Sequence, residues 1–408
     1  MLTFSQFITE EKNVHMVHLT DAIIDGGVDG TRQAINYLRA LRDMLAGNAA
    51  APINISTKWD GAPAVFAGID PTDKKFFVAK KGIFNKNPKV YKTDADIDAD
   101  TSGDLNTKLK LALAELPKLG IKGVIQGDFL YAREDIKEVD IGGEPYITFH
   151  PNTIVYAVPK ESKLARQILG SKIGVVWHTV YRGNSFETMQ ASFGEEIAAG
   201  LKKVKAVWTV DAVFKDLSGN ATLTSEETKN VTKLLSDAGK IFNKIKSPVL
   251  NGLSSNEDRR IRVNTFINSK VRSGERIGDP AKFVTDMIAY IEDAYQKEAD
   301  KKKTTSGKQV SYNKRDEVLS YFKEHGNDVV DVFKIYNIID EVKHIIITKL
   351  NKVDSLRTFL KTNSGYEVTG QEGFVAIDHL GKNALKLVDR LQFSKANFSP
   401  EYQKGWQR

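Results

Sequence analysis

The sequence predicts an α+β protein in which a sheet domain is interrupted by a large all-helical insertion. Three observations carry this. Two-residue alternation of apolar side chains recurs between residues 53 and 214, helical periodicity replaces it from about 225 to 360, and strand patterns return from 366. This order divides the chain into 11–220, 221–362 and 363–408, the first and last parts forming one antiparallel domain around the helical one. The composition fits a sizeable folded core: 408 residues, 41% hydrophobic and 27% charged. There is no eighteen-residue apolar run, so no membrane partner is expected. Zero cysteines exclude disulfides, thiolate zinc sites and cysteine nucleophiles. The net charge of +7 suits polyanionic partners without requiring them.

Element by element, two helical stretches follow the first ten residues. In the second, over 31–46, Ile35, Leu38, Leu41 and Leu45 form one stripe that Gly47 stops. Strands are expected at 53–57, 64–69 and 76–81, then a mobile loop over 86–105. Its Asp94, Asp96, Asp98 and Asp100 suggest a calcium loop, but Thr101 stands where such a loop needs glycine. A helix over 105–116 leads to strands at 123–132, 146–158, 172–181 and 206–214. Ser225 with Glu226 and Glu227 opens the helical block, and Asp279-Pro280 opens a later helix. A linker is expected at 301–308, and the longest helix after His325-Gly326. Strands at 374–377 and 384–391 complete the order. The seven histidines are scattered and read as structural, His15 and His18 included, for want of a third ligand. Trp177 and Trp208 read as core.

The chemistry rests on five short segments: Thr57-Lys58-Trp59-Asp60-Gly61, Lys81-Gly82, Gln126-Gly127-Asp128, Glu372-Gly373-Phe374-Val375 and Leu385-Lys386-Leu387-Val388. Each places a charged side chain on a strand or at its end, where one cleft could gather them. In this order they resemble the motifs of covalent nucleotidyltransferases, the ATP-dependent DNA ligases, RNA ligases and mRNA-capping enzymes. The resemblance covers the two β-rich parts and not the helical block. It implies an antiparallel, ATP-grasp-like ligase domain in which Lys58 becomes covalently joined to AMP. The same likeness implies that Thr57, Trp59, Asp60, Gly61, Lys81 and Tyr156 help hold the nucleotide, Tyr156 from the 152–158 strand. Asp128, Glu372 and Lys386 complete the implied catalytic set. ATP and Mg²⁺ (or Mn²⁺) are the implied cofactors, the metal held by Glu372 with Asp128 or Asp60; Asp128 would alternatively bind the ribose.

The physical requirements agree with those roles. A lysine attacks phosphorus only as the free amine, which burial and a neighbouring cation such as Lys386 favour. Carboxylates suit a metal that prefers oxygen ligands. The sequence departs from the family at Pro63, where DNA ligases often have arginine, at Asp128 in place of glutamate, and at Val388 in place of a second lysine, with Arg390 or Lys395 as substitutes. The chain ends soon after Lys386, so no OB domain is expected, which favours RNA over DNA ends or nicks as substrate. Arg259, Arg260, Arg262, Lys270, Arg272 and Arg276 form the densest basic run of the insertion and would grip nucleic-acid phosphates.

Residues 1–10, Met-Leu-Thr-Phe-Ser-Gln-Phe-Ile-Thr-Glu, resemble the capsid-targeting peptide of internal head proteins in T-even-like phages. That likeness implies cleavage after Glu10 by a prohead protease, entry into the capsid, and otherwise the host cytoplasm. It leaves open a catalytically decayed nucleotidyltransferase packaged as a head protein.

Overall fold

A computed structural model describes residues 17–47, 53–213, 222–351, 356–378 and 384–406. The capsid-targeting-like peptide, His15 and His379 lie outside the described residues, as does the side chain of Lys395. The fold is mixed α+β with three largely antiparallel sheets. No helix among the described residues is long and apolar enough to cross a membrane.

The first sheet joins distant parts of the chain. β1 (Ile53–Lys58) pairs with β13 (Gly373–Asp378), which pairs with β14 (Ala384–Leu387), all antiparallel. The second has the order β10-β8-β4-β2-β3, from β2 (Ala64–Ile69), β3 (Phe76–Ala79), β4 (Val124–Ala132), β8 (Ile173–Arg182) and β10 (Val207–Asp211). β9 (Gln190–Phe193) pairs with β8, and β10 is its one parallel neighbour. The third runs β12-β11-β7-β6-β5: β5 (Lys137–Ile141), β6 (Glu144–Phe149), β7 (Ile154–Pro159), β11 (Arg357–Lys361) and β12 (Tyr366–Val368).

Alternation along the first sheet decides what faces what. Phe374, Ala376, Leu385 and Leu387 enter one large core with the helices, while Val375, Ile377 and Lys386 face the second sheet. The helical side comprises α1 (Asp21–Leu45), α5 (Ser225–Lys244), α6 (Ser247–Ser255), α7 (Glu257–Arg272), α8 (Pro280–Asp300) and α9 (Thr305–Leu350). The two early helical stretches are thus one helix, bent at Gly27 (φ 54°), where Asn251 packs so closely that a Cβ would sit 2.6 Å from its Oδ1. Asp279 caps α8 as expected, accepting from the Ala281 and Lys282 amides. Thr224, not Ser225, caps α5, in a reciprocal box with Glu227.

Several boundaries differ from expectation. The Asp-rich segment is not a loop. Thr93 and Asp96 form a capping box for α2 (Asp94–Asp100), and α3 (Gly103–Glu115) follows. Asp100 accepts from Lys80, Lys89 and Tyr91, and so pins the turn that carries Lys81. The expected strand at 146–158 is a hairpin of β6 and β7. The residues expected as a linker close α8 and begin α9, whose helical geometry breaks at His325 rather than starting after it. β11 is strand although it lies within 221–362, and the strand expected over 384–391 stops at Leu387, where α10 (Arg390–Phe398) soon begins.

Candidate functional site

The facing surfaces of the first and second sheets enclose a cleft of about 220 Å³. It gathers Lys58, Asp128, Lys81 and Lys386 with Thr57 and Trp59. Register explains the gathering. Lys58, the last residue of β1, lies opposite Gly373, while Ser56 lies opposite Val375, which lies opposite Lys386. One face therefore carries both lysines, although 328 positions separate them in the sequence.

The Lys58 ammonium is ion-paired with Glu372, immediately before β13. Gly373 makes this possible. Its φ of +150° turns the chain, and a Cβ there would lie 2.4 Å from the Leu387 carbonyl. Gly61 acts similarly, since a Cβ would come within 2.5 Å of the Asp128 Cβ. Glycine at 61 thus lets the turn after Lys58 close onto β4.

The electrostatics are those of a crowded, poorly solvated cluster. Burial draws the Lys58 pKa down, but Glu372 outweighs it and holds the ammonium above the ordinary lysine value. Burial raises Glu372 to about 7 against the pull of Lys58, and raises Asp128 to about 7 against the same lysine. Lys386 is shifted the other way, lowered by burial and by Lys58 beside it. His178, 3.8 Å from Asp128, is lowered to about 4 by burial and Lys58, so it is neutral near pH 7.

Other expected site residues lie elsewhere. Asp60 is buried and accepts from the Thr153 amide (2.7 Å), the Ile154 amide (2.8 Å) and the Asn152 side chain (2.8 Å). Its carboxylate fixes the β6–β7 turn and is not free for a metal. Tyr156 is fully buried behind the Lys58 turn; its hydroxyl accepts from the Asp60 amide, and its ring packs 5.1 Å from Trp59. It therefore supports the wall of the cleft and does not line it. Val388 packs into the apolar core against Gly373, and Arg390 ties Asp21 to Asn268, so neither supplies a second cleft lysine. Among the described residues no group of three or more histidines and carboxylates is placed to hold a metal.

The sequence singled out the Gln126-Gly127-Asp128 segment without giving Gln126 a role, and it missed His178, Tyr181, Phe66 and Phe193; all five border the cleft. The Tyr181 hydroxyl donates to Gln126 Oε1 at 2.7 Å. Gln126 was legible, being two residues from Asp128 on the same strand face. His178 and Tyr181 were not, because only pairing of β8 with β4 brings them there.

The basic run on α7 and just after it is used internally. Arg259 is buried, stacks 3.8 Å from the Tyr321 ring and donates to the Gly252 carbonyl. Arg262 lies over Tyr295 and pairs with Glu298 at 2.7 Å, Lys270 pairs with Glu275, and Arg276 reaches Asp389 at 3.9 Å. Arg260 and Arg272 also have interaction partners. The run is chiefly a packing and ion-pair feature, not a free phosphate grip.

A family model spans residues 13–402, nearly the whole described chain. The chain belongs to DUF6267, a family of unknown function. No curated protein and no solved structure matches it. In this DUF6267 member, the cleft is the feature that bears on function.

Proposed function

We propose that this protein is a covalent nucleotidyltransferase of the ATP-dependent polynucleotide ligase type, with Lys58 carrying AMP. The observation that carries the reading is the convergence of Lys58, Glu372, Lys386, Lys81 and Asp128 on one cleft between two sheets. Lys58 Nζ attacks the α-phosphorus of ATP, a nitrogen–phosphorus bond forms, and pyrophosphate leaves. Before attack the ammonium must lose its proton, for which Glu372 is the adjoining acceptor. Lys386 and Lys81 then face the charge that develops on the phosphoryl oxygens. AMP passes to a polynucleotide 5′-phosphate, and a 3′-hydroxyl displaces it to seal the strand.

Asp128 and Glu372 would hold Mg²⁺ together with substrate phosphates, as a metal that needs few protein ligands allows. Burial raises both carboxyls despite Lys58 nearby, and a bound cation would offset that cost. When bound, the ion would neutralise charge on the transferring phosphate.

The test is intact-mass spectrometry after incubation with ATP and Mg²⁺, beside Lys58→Ala and with GTP as comparison. An AMP adduct on wild type alone, discharged by pyrophosphate, is expected. If wild type gains no adduct and is not already adenylylated as purified, the enzyme reading fails.

A further inference from the structure

A second groove, of about 630 Å³, lies on the far side of β10 from β8. One wall is α4 (Lys163–Gly170), the other the segment 201–205, and the floor is Val207 to Val210. Four consecutive strand residues cannot share one sheet face, so the groove runs along the free edge of β10. Five cations line it: Lys163, Arg166, Lys202, Lys203 and Lys205. No acidic residue lines it, all five are exposed, and none is in an ion pair among the described residues. Here the contrast with α7 is sharp, since most charges there already have partners.

The groove also points toward the Lys58 cleft, though the two share no lining residue. Directly after β10, Ala212 lines that cleft, and its carbonyl accepts from the Thr57 amide at 2.7 Å. At about 3.3 Å per residue, the path from Val207 to Ala212 is about 17 Å. A chain lying along the β10 edge would therefore end beside Lys58.

We infer that this groove binds a single polynucleotide strand, the five cations meeting its phosphates and directing its end to the cleft. Uncompensated positive charge fits a phosphodiester backbone. The edge-strand channel suits one strand rather than a duplex. The use of the bound strand rests on the reading of Lys58 as the AMP carrier; the binding itself does not.

The experiment measures anisotropy of a labelled, 5′-phosphorylated RNA oligonucleotide over a salt series. It compares wild type, a Lys202→Glu/Lys203→Glu/Lys205→Glu variant, and a charge-matched control on α5, Lys229→Glu/Lys233→Glu/Lys244→Glu. The groove variant should bind at least about tenfold more weakly and lose about 2 units of log–log salt slope, at about 0.7 per phosphate contact. The control should stay within about twofold of wild type, and the groove variant should still form the Lys58 adduct. Groove-variant binding equal to wild type, or an equal loss in the control, overturns the inference. Displacement of RNA by polyglutamate at equal charge concentration also overturns it, in favour of an acidic protein segment. If wild type binds RNA through the groove yet forms no adduct, the inference stands and the nucleotidyltransferase reading falls.

Discussion

Lys58 and Arg259 are both basic residues that a sequence search selects, yet the fold treats them oppositely. Lys58 ends a strand and reaches a solvent-connected cleft, where its neighbours are two other lysines and two carboxyls with raised pKa. Arg259 sits inside the helical block with its guanidinium over the Tyr321 ring and bonded to a backbone carbonyl. The difference lies in what the surroundings leave unsatisfied. The cleft concentrates charge whose mutual repulsion and burial a ligand would relieve, whereas α7 already neutralises most of its own.

Substitutions sharpen that contrast, beginning with the largest effect. Lys386→Ala should slow formation of the lysyl-AMP adduct by about 10²–10³-fold, as loss of a preorganised charge at a transferring phosphate does, with little change in melting temperature. Rapid-quench measurement of adduct formation checks it. Arg259→Ala should cost about 2–3 kcal/mol of stability through the lost stacking and carbonyl bond, measured by urea unfolding, while adduct formation below the transition is unchanged. A stable Arg259→Ala protein with weakened RNA binding would reverse the assignment of the two regions.

Proton linkage gives two further tests. Because Asp128 has a folded pKa near 7, above its unfolded value, it favours the fold most at low pH. That contribution is lost as pH rises from the ordinary carboxylate range through about 7. Asp128→Asn should therefore flatten stability against pH across that window and stabilise the protein by about 1–2 kcal/mol at pH 8, read from unfolding curves at several pH values. Glu372 holds the Lys58 pKa up, so Glu372→Gln should move the acid limb of the adduct-formation profile to lower pH even as the rate falls. Smallest of all, Arg276→Ala should change stability by less than about 0.5 kcal/mol, since its contact with Asp389 is long and solvent-screened.

Much of the site was legible as linear segments. Lys58, Lys81, Asp128 and Lys386 line the cleft and Glu372 pairs with Lys58; Lys81, Asp128 and Glu372 each adjoin a glycine, a local pattern, whereas Lys386 sits between two leucines inside β14. Asp60 and Tyr156 were misplaced because their partners, the amides of Thr153 and Ile154 and the turn after Lys58, lie more than ninety residues away. The Thr93–Asp96 capping box of the aspartate run was in plain view as Thr-x-x-Asp, whereas the lysines that Asp100 collects are visible only once folded.

By itself, then, the sequence determined the mixed α+β class and the long helical block through periodicity, and the order of its short segments, with their likeness to nucleotidyltransferase motifs, singled out the cleft lysines. Only tertiary structure decided which strand face each charge occupies, which cations pair internally, and that β8 supplies His178 and Tyr181. The physical reason is that side-chain type is a local property, whereas solvation and pairing depend on neighbours that the chain brings together from far apart. The free β10 edge and its five cations, unpaired among the described residues, belong to the second kind: their residues were in plain view, but only the packing of α4 against 201–210 made them one surface.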